Sequence, residues 1–286
     1  MALQLNSFKA KTKTIPCIGL SDLVNMSKIS ESGSGSVSRA YCTRTNEYVA
    51  CKTLDDINSD QLINEEAIFI VLNFCENIIR FLGGCKDDMN NKYYLITEYA
   101  DGGDLQNYLR KYHPSLIWSQ RLILAFQITN GLRYLHNKEI IHCDLHDKNV
   151  VIKNGNAKII DFGNSKSVNT QTKIHNCPVG VMPYLAPELL NGFNNISYCK
   201  KMDIYSLGML FWVLTSGHRP FENQLNSGFI ECVALHSLII QGKREEIIPG
   251  TSQAYVNLYC RCWDHNPNMR PNIESVYHDL KILKDE

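Results

Sequence analysis

The sequence predicts an α+β protein built in two lobes, on three observations. Short strand-like runs separated by polar turns fill the front of the chain as far as Ile96, a Gly102-Gly103 break follows, and segments with helical spacing fill the rest. At 286 residues the chain exceeds the usual reach of one hydrophobic core, so a small strand-rich lobe and a larger, mainly helical one on a short connector are expected.

Residues 1–25 carry Lys9, Lys11 and Lys13 without sustained periodicity, are broken at Pro16-Cys17, and read as an N-terminal extension. From Ile29 the pattern is strand-like at Val37, at Tyr48–Cys51 and at Tyr93–Ile96. One helix interrupts these runs. Asn58 or Ser59 caps it, and Leu62, Glu66, Phe69 and Ile70 fall on one face by three- and four-residue spacing. Beyond the glycine pair, residues 118–136 form a long amphipathic segment through Ile123, Phe126, Ile128, Leu132 and Leu135. Short strands at Val150–Ile152 and Ala157–Ile160 follow, then helices over 203–217, 229–241 and 252–263. The expected boundaries are 1–25 for the extension, 26–97 for the small lobe, 98–103 for the connector and 104–286 for the large lobe.

Lys+Arg and Asp+Glu both number 29, so no global charge draws the chain to nucleic acid or an anionic membrane. The apolar share of 44% is ordinary for a globular protein. Eleven cysteines with no CxxC pair, in a chain this long, suit reduced cytosolic thiols better than a disulfide scaffold. The longest apolar run, Leu207–Leu214, is far short of the roughly 18–20 residues of a membrane span and reads as a buried helix. No apolar leader opens the chain, and Ala2 stands where myristoylation needs glycine. A soluble cytoplasmic protein with neither nucleic-acid nor membrane partners is expected.

Between Ile141 and Asn149 the chain reads I-H-C-D-L-H-D-K-N, and twelve residues after Asn149 comes Asp161-Phe162-Gly163. Phosphoryl transfer needs one carboxylate to orient a hydroxyl, and a separate Asn/Asp pair to hold the magnesium ions that neutralise the phosphates. On these residues the sequence resembles the protein kinase family, from about Met26 to about Leu283. The resemblance implies the two-lobed protein kinase fold: a small, mostly antiparallel β lobe with one key helix, and a larger, mainly helical lobe. It also implies an enzyme that transfers the γ-phosphoryl group of ATP to protein hydroxyls. One departure stands out, since Cys143 occupies the place where the family usually has Arg.

The resemblance assigns roles residue by residue. Lys52, closing V-A-C-K, is the phosphate-binding lysine, and a Glu on the following helix holds it. Glu65 and Glu66 are adjacent; Glu66 is chosen because it shares a face with Leu62, Phe69 and Ile70. Asp144 orients the substrate hydroxyl or accepts its proton, and Lys148 is the cation near the γ-phosphate. Asn149 and Asp161 bind the metal, Mg2+ or in its place Mn2+, while Phe162 packs against the helix. Asp203 anchors the catalytic loop's backbone.

The family's glycine-rich loop would need Gly at 30, 32 and 35; this chain has Ser30, Ser32 and Gly35, with Gly33 extra and Ser34 at the tip. Backbone amides there can still face the phosphates. Thr97–Ala100 resembles the hinge, with unpaired backbone groups at Glu98 and Ala100 for the adenine edge and Thr97 at the back of the pocket. Asp104 is placed either to accept from the ribose hydroxyls or to cap a helix at Leu105. Val37, Ala50 and Val151 complete the nucleotide-binding set that the resemblance implies.

Gly180–Glu188 resembles the segment that docks a protein or peptide substrate, with Glu188 clamped by Arg270. Tyr205–Gly208, the C-W-D-x-x-P element and Gly131–His136 look most like the tyrosine-kinase-like group, which mostly phosphorylates Ser and Thr, with dual specificity also occurring. The competing reading is a pseudokinase, a nucleotide-binding or scaffolding module. Against it, Lys52, Glu66, Asp144, Asn149 and Asp161 are all present. Ser165, Ser167, Thr170 and Thr172 are candidate phosphorylation sites, and Lys166, Lys173 and Arg133 are candidate cations to replace the missing Arg.

Overall fold

The computed structural model describes residues 18–32, 35–54, 60–72, 75–168, 180–191, 197–226 and 229–285. They divide into two compact units. The first ends at Asp101 and takes in Asp161–Gly163; the second comprises Gly102–Ile160 and the chain from Asn164 onward.

In the first unit, β1 (Leu23–Ser32), β2 (Gly35–Cys42), β3 (Glu47–Leu54), β4 (Phe81–Asp87) and β5 (Lys92–Glu98) form one antiparallel sheet in the order β1-β2-β3-β5-β4. Helix α1 (Asp60–Val71) lies between β3 and β4 in the chain. Alternation sends Ala40, Cys42, Val49, Cys51, Cys85 and Ile96 into a shared core. Ile18 and Leu23 belong to that core. This corrects the expected extension of residues 1–25: the fold already holds residue 18, because β1 begins at Leu23 and pairs with Cys42. β4 had given no strand signal, since Gly83 and Gly84 dilute it.

The second unit is mainly helical. It contains α2 (Leu105–Tyr112), α3 (Trp118–Asn137), α4 (Pro187–Leu190), α5 (Lys200–Ser216), α6 (Glu222–Asn226), α7 (Phe229–Ile240), α8 (Gln253–Cys262) and α9 (Ile273–Asp285). Two antiparallel pairs complete it: β6 (Ile140–Ile141) with β9 (Lys166–Ser167), and the hairpin of β7 (Val150–Lys153) with β8 (Asn156–Ile159). As its apolar run requires, α5 is buried at every residue from Met202 to Ser216. It ends at Gly217, whose φ of +74° only glycine adopts readily. The sequence reading gave α2 only as a helix for Asp104 to cap, and it missed α4, α6 and α9. The apolar stripe of α9, Ile273, Val276 and Leu280, is diluted by charged neighbours. Gly102 N–H donates to Ile152 O and Ile152 N–H to Gly103 O, both at 2.8 Å, so the end of the connector is already stitched into the second unit. Among the described residues no helix is long and apolar enough to cross a membrane.

Candidate active site

Each unit carries its own share of the predicted residues. In the first, the alternation of β3 puts Ala50 and Lys52 on one face, opposite the buried Cys51. The pairing extends that face across the sheet, Ser30 to Val37 to Lys52 to Leu95, with Ala50 beside Thr97. Five predicted nucleotide-site residues thereby share one surface. Gly35 starts β2 at φ +122°, and a Cβ there would collide with the Thr53 carbonyl, so glycine is required at this position. Gly33 and Ser34 lie outside the described residues. Glu98 N–H donates to Arg80 O at 3.0 Å. This corrects the expectation of unpaired backbone at Glu98, because its N–H is not among the groups left for a base.

Lys52 Nζ lies 2.9 Å from Glu65 Oε2 and 2.9 Å from Asp161 Oδ1. Burial works against the ammonium, but the two carboxylates outweigh it and hold Lys52 above its ordinary range. The partner is therefore Glu65 and not Glu66, which corrects the sequence reading. The inward stripe of α1 is Glu65, Ile68, Phe69 and Leu72, an i, i+3, i+4, i+7 pattern, while Ile70 is only half-buried. Phe69 stacks on Phe81 (centroids 4.9 Å apart) and meets Phe162 edge-on (5.2 Å), and this aromatic packing selects the stripe. Phe162 N–H also donates to Glu65 Oε1 at 3.3 Å. Glu66 instead accepts from the Tyr93 hydroxyl.

In the second unit, Asp203 of α5 fixes the loop after β6. Its carboxylate accepts from His142 N–H (2.9 Å), Cys143 N–H (3.0 Å) and the His136 ring (2.9 Å). Held this way, Cys143 takes φ +68°, a left-handed strain supported by those bonds. Asp144 follows, with Asn164 Nδ2 donating to its Oδ2 at 3.3 Å and His146 Nε2 3.5 Å from Oδ1. Nothing in the sequence spacing pointed to Asn164. Asn149 Nδ2 donates to Asp144 O at 2.8 Å, which commits the amide nitrogen inward and leaves the amide oxygen as the ligand it offers. Lys148 is exposed. Asp104 caps α2 by accepting from Asn107 N–H at 2.8 Å and bridges to Val151, so the capping role is present.

The Gly180–Glu188 stretch runs alongside this loop. Gly180 has φ +140°, and a Cβ there would meet Leu185 Cδ2 at 2.7 Å and Asp144 Oδ1 at 3.4 Å, so the stretch begins against the Asp144 carboxylate. Its far end is fixed by Arg270, whose two terminal nitrogens reach Glu188 at 2.7 and 2.8 Å. Ser165 is buried with its hydroxyl donating to His142 O at 3.0 Å, which removes it from the accessible phosphorylation sites. Arg133 is engaged by Glu274 at 2.8 Å and lies over Tyr277, so it is not the substitute for the missing Arg. Thr170, Thr172 and Lys173 lie outside the described residues.

Compared with known protein families, residues 23–280 match the protein kinase domain. The chain belongs to the protein kinase family. Its two units are the two lobes of the protein kinase fold. The serine/threonine/tyrosine-protein kinase HT1 of Arabidopsis thaliana is 31% identical over 219 residues, covering 76% of this chain and 53% of that protein. The serine/threonine-protein kinase VIK of the same plant is 30% identical over 279 residues, 92% of this chain and 60% of VIK. The dual specificity protein kinase splA of Dictyostelium discoideum is 28% identical over 274 residues, 88% of this chain and 11% of splA. The chain thus spans between about a tenth and three fifths of the length of these relatives. Likeness to HT1 and VIK agrees with the tyrosine-kinase-like resemblance. Within this kinase domain, burial and then the Asp203 carboxylate push the Cys143 thiol well above its ordinary range, so it stays protonated.

Proposed function

We propose that this chain is an active, ATP-dependent protein kinase of the cytoplasm that phosphorylates Ser and Thr in protein substrates, with dual specificity in reach. The observation that carries the reading is Lys52 held charged between Glu65 and Asp161, both at 2.9 Å. An ammonium fixed by two carboxylates is oriented before any ligand arrives, and positioning and electrostatics supply nearly all the catalysis in phosphoryl transfer. A carboxylate in Asp161 and an inward-tethered amide in Asn149 are hard oxygen donors of the kind Mg2+ and Mn2+ take, so the residues fit the metal. Magnesium-bound ATP supplies the phosphoryl group and neutralises the charge on its phosphates.

The chain's own residues do the rest. Ser30, Gly35, Val37, Ala50 and Thr97 line the nucleotide face of the sheet, and Ala100 offers backbone to the base. Asp104 and Val151 contribute from the helical lobe. Asp144 orients the substrate hydroxyl and takes its proton on the carboxylate, and Lys148 brings a cation to the transferring group. Gly180–Glu188 docks the polypeptide, which the approach of Gly180 to Asp144 supports. Lys52→Met and Asp161→Asn should each lower kcat by about 100-fold or more, the scale of removing one preorganised charge, with circular dichroism showing the fold retained. Near-normal turnover in either variant refutes the assignment.

A further inference from the structure

We infer that Tyr93, Glu66 and Gly84 form a latch that sets the rotation of α1 and thereby keeps Glu65 against Lys52; the inference rests on the functional reading above. Glu66 follows Glu65 directly, so the two carboxylates leave α1 about 100° apart. Glu65 turns inward to Lys52. Glu66 turns toward the sheet, where it accepts the hydrogen bond from the Tyr93 hydroxyl. A rotation of α1 that swings Glu65 off Lys52 also carries Glu66 off Tyr93. The outer bond therefore opposes loss of the inner one.

Gly84 is the independent sign that this bond is built into the sequence. It lies in the middle of β4, where glycine weakens a strand, and its backbone is not in the left-handed region that would require glycine. Space requires it instead. Tyr93 is paired with Lys86, and Gly84 with Leu95, so the Tyr93 ring runs diagonally over Gly84. A Cβ at Gly84 would fall inside the Tyr93 hydroxyl, 2.6 Å from Tyr93 Cζ and 3.0 Å from Glu66 Oε1. The ring is supported from below, since Tyr93 and Phe81 both pack on the buried Leu95, and Phe81 stacks on Phe69 of α1. Lys86, paired with Tyr93 across the strands, is held by Asp88 at 2.5 Å. Tyr93 and Glu66 are thus positioning residues that act through Glu65.

The test uses the full chain with Tyr93→Phe, Gly84→Ala and Glu66→Gln, the last keeping an acceptor for the hydroxyl. Two readouts are taken: kcat on a peptide at saturating Mg-ATP, and hydrogen exchange of the α1 amides beside the global melting temperature. Tyr93→Phe and Gly84→Ala should each lower kcat by about tenfold, the scale of one hydrogen bond to a charged group, and speed exchange in α1. Glu66→Gln keeps the acceptor and loses only its charge, so it should fall between the parent and Tyr93→Phe in both, with a loss in kcat of about threefold. Parent-like kcat and parent-like α1 exchange in Tyr93→Phe overturn the latch, as does a loss in melting temperature with α1 exchange unmoved. Should the parent itself transfer no phosphate, the functional reading fails and the exchange measurement alone decides the latch.

Discussion

Glu65 and Glu66 differ by one position in the sequence and, on this structure, by their whole role, which makes a pair of isosteric changes informative. Glu65→Gln removes one side of an ion pair whose side chains are only 3% and 17% exposed. Breaking a buried pair by neutralising one partner costs about 3–5 kcal/mol. The loss here is smaller, because Asp161 still holds the ammonium at 2.9 Å and glutamine keeps the shape. About 2 kcal/mol is expected, and if it appears in full in the barrier, transfer slows about 30-fold. Glu66→Gln keeps an acceptor for Tyr93 and loses only its charge, so its rate should fall by no more than about threefold. The assay is kcat for a peptide substrate at saturating Mg-ATP, with thermal melts to show that both variants fold. If Glu66→Gln proves as slow as Glu65→Gln, the register assigned to α1 is refuted.

Cys143 offers a thiol where the family usually has a cation, and Arg133 is taken by Glu274. Replacing Ser167, Thr170 and Thr172 together with Ala should therefore leave the rate on an exogenous peptide within about threefold; a fall beyond about tenfold, or roughly 1.4 kcal/mol, would mean that phosphate switches the segment. Alkaline stability gives a separate check. Burial pushes the thiols of Cys51 and Cys262 up to about 12, from an ordinary 9.0. A raised folded pKa means that the contribution is complete below about pH 9 and is lost as pH climbs toward 12, since the unfolded chain ionises first. Each thiol removes up to about 1.4 kcal/mol per pH unit across that window. Melting temperature should fall steadily from about pH 9 to 11, and less steeply in Cys51→Ala/Cys262→Ala; equal slopes would contradict the buried-thiol account.

The parts of the site that were legible in the sequence are those fixed by local spacing. Strand alternation alone puts Ala50 with Lys52, and the five-residue step from Asp144 to Asn149 lets the amide reach back to the loop. Asp203 and the Glu188–Arg270 clamp were legible through the resemblance to the kinase family, whose motifs this chain keeps at those places, and the structure forms both. Glu65 was not legible. Two apolar stripes were available to α1, through Leu62 and Ile70 or through Ile68 and Leu72, and only packing on Phe81 and Phe162 decides between them. β4 was hidden for a related reason. Its glycine at 84 answers to a tyrosine on the next strand, and no window along the chain contains that pairing. The start of the fold was set too late because Ile18 declares itself only by joining the buried core of the sheet.

Purified protein incubated with Mg-ATP, beside Asp144→Asn, with sites read by mass spectrometry, decides whether the chain transfers phosphate. The account predicts phosphate on Ser or Thr in the parent and a loss of at least about 100-fold in Asp144→Asn. No incorporation by the parent into itself or an added protein, with Mg-ATP still bound, would contradict the account and leave a nucleotide-binding scaffold in its place.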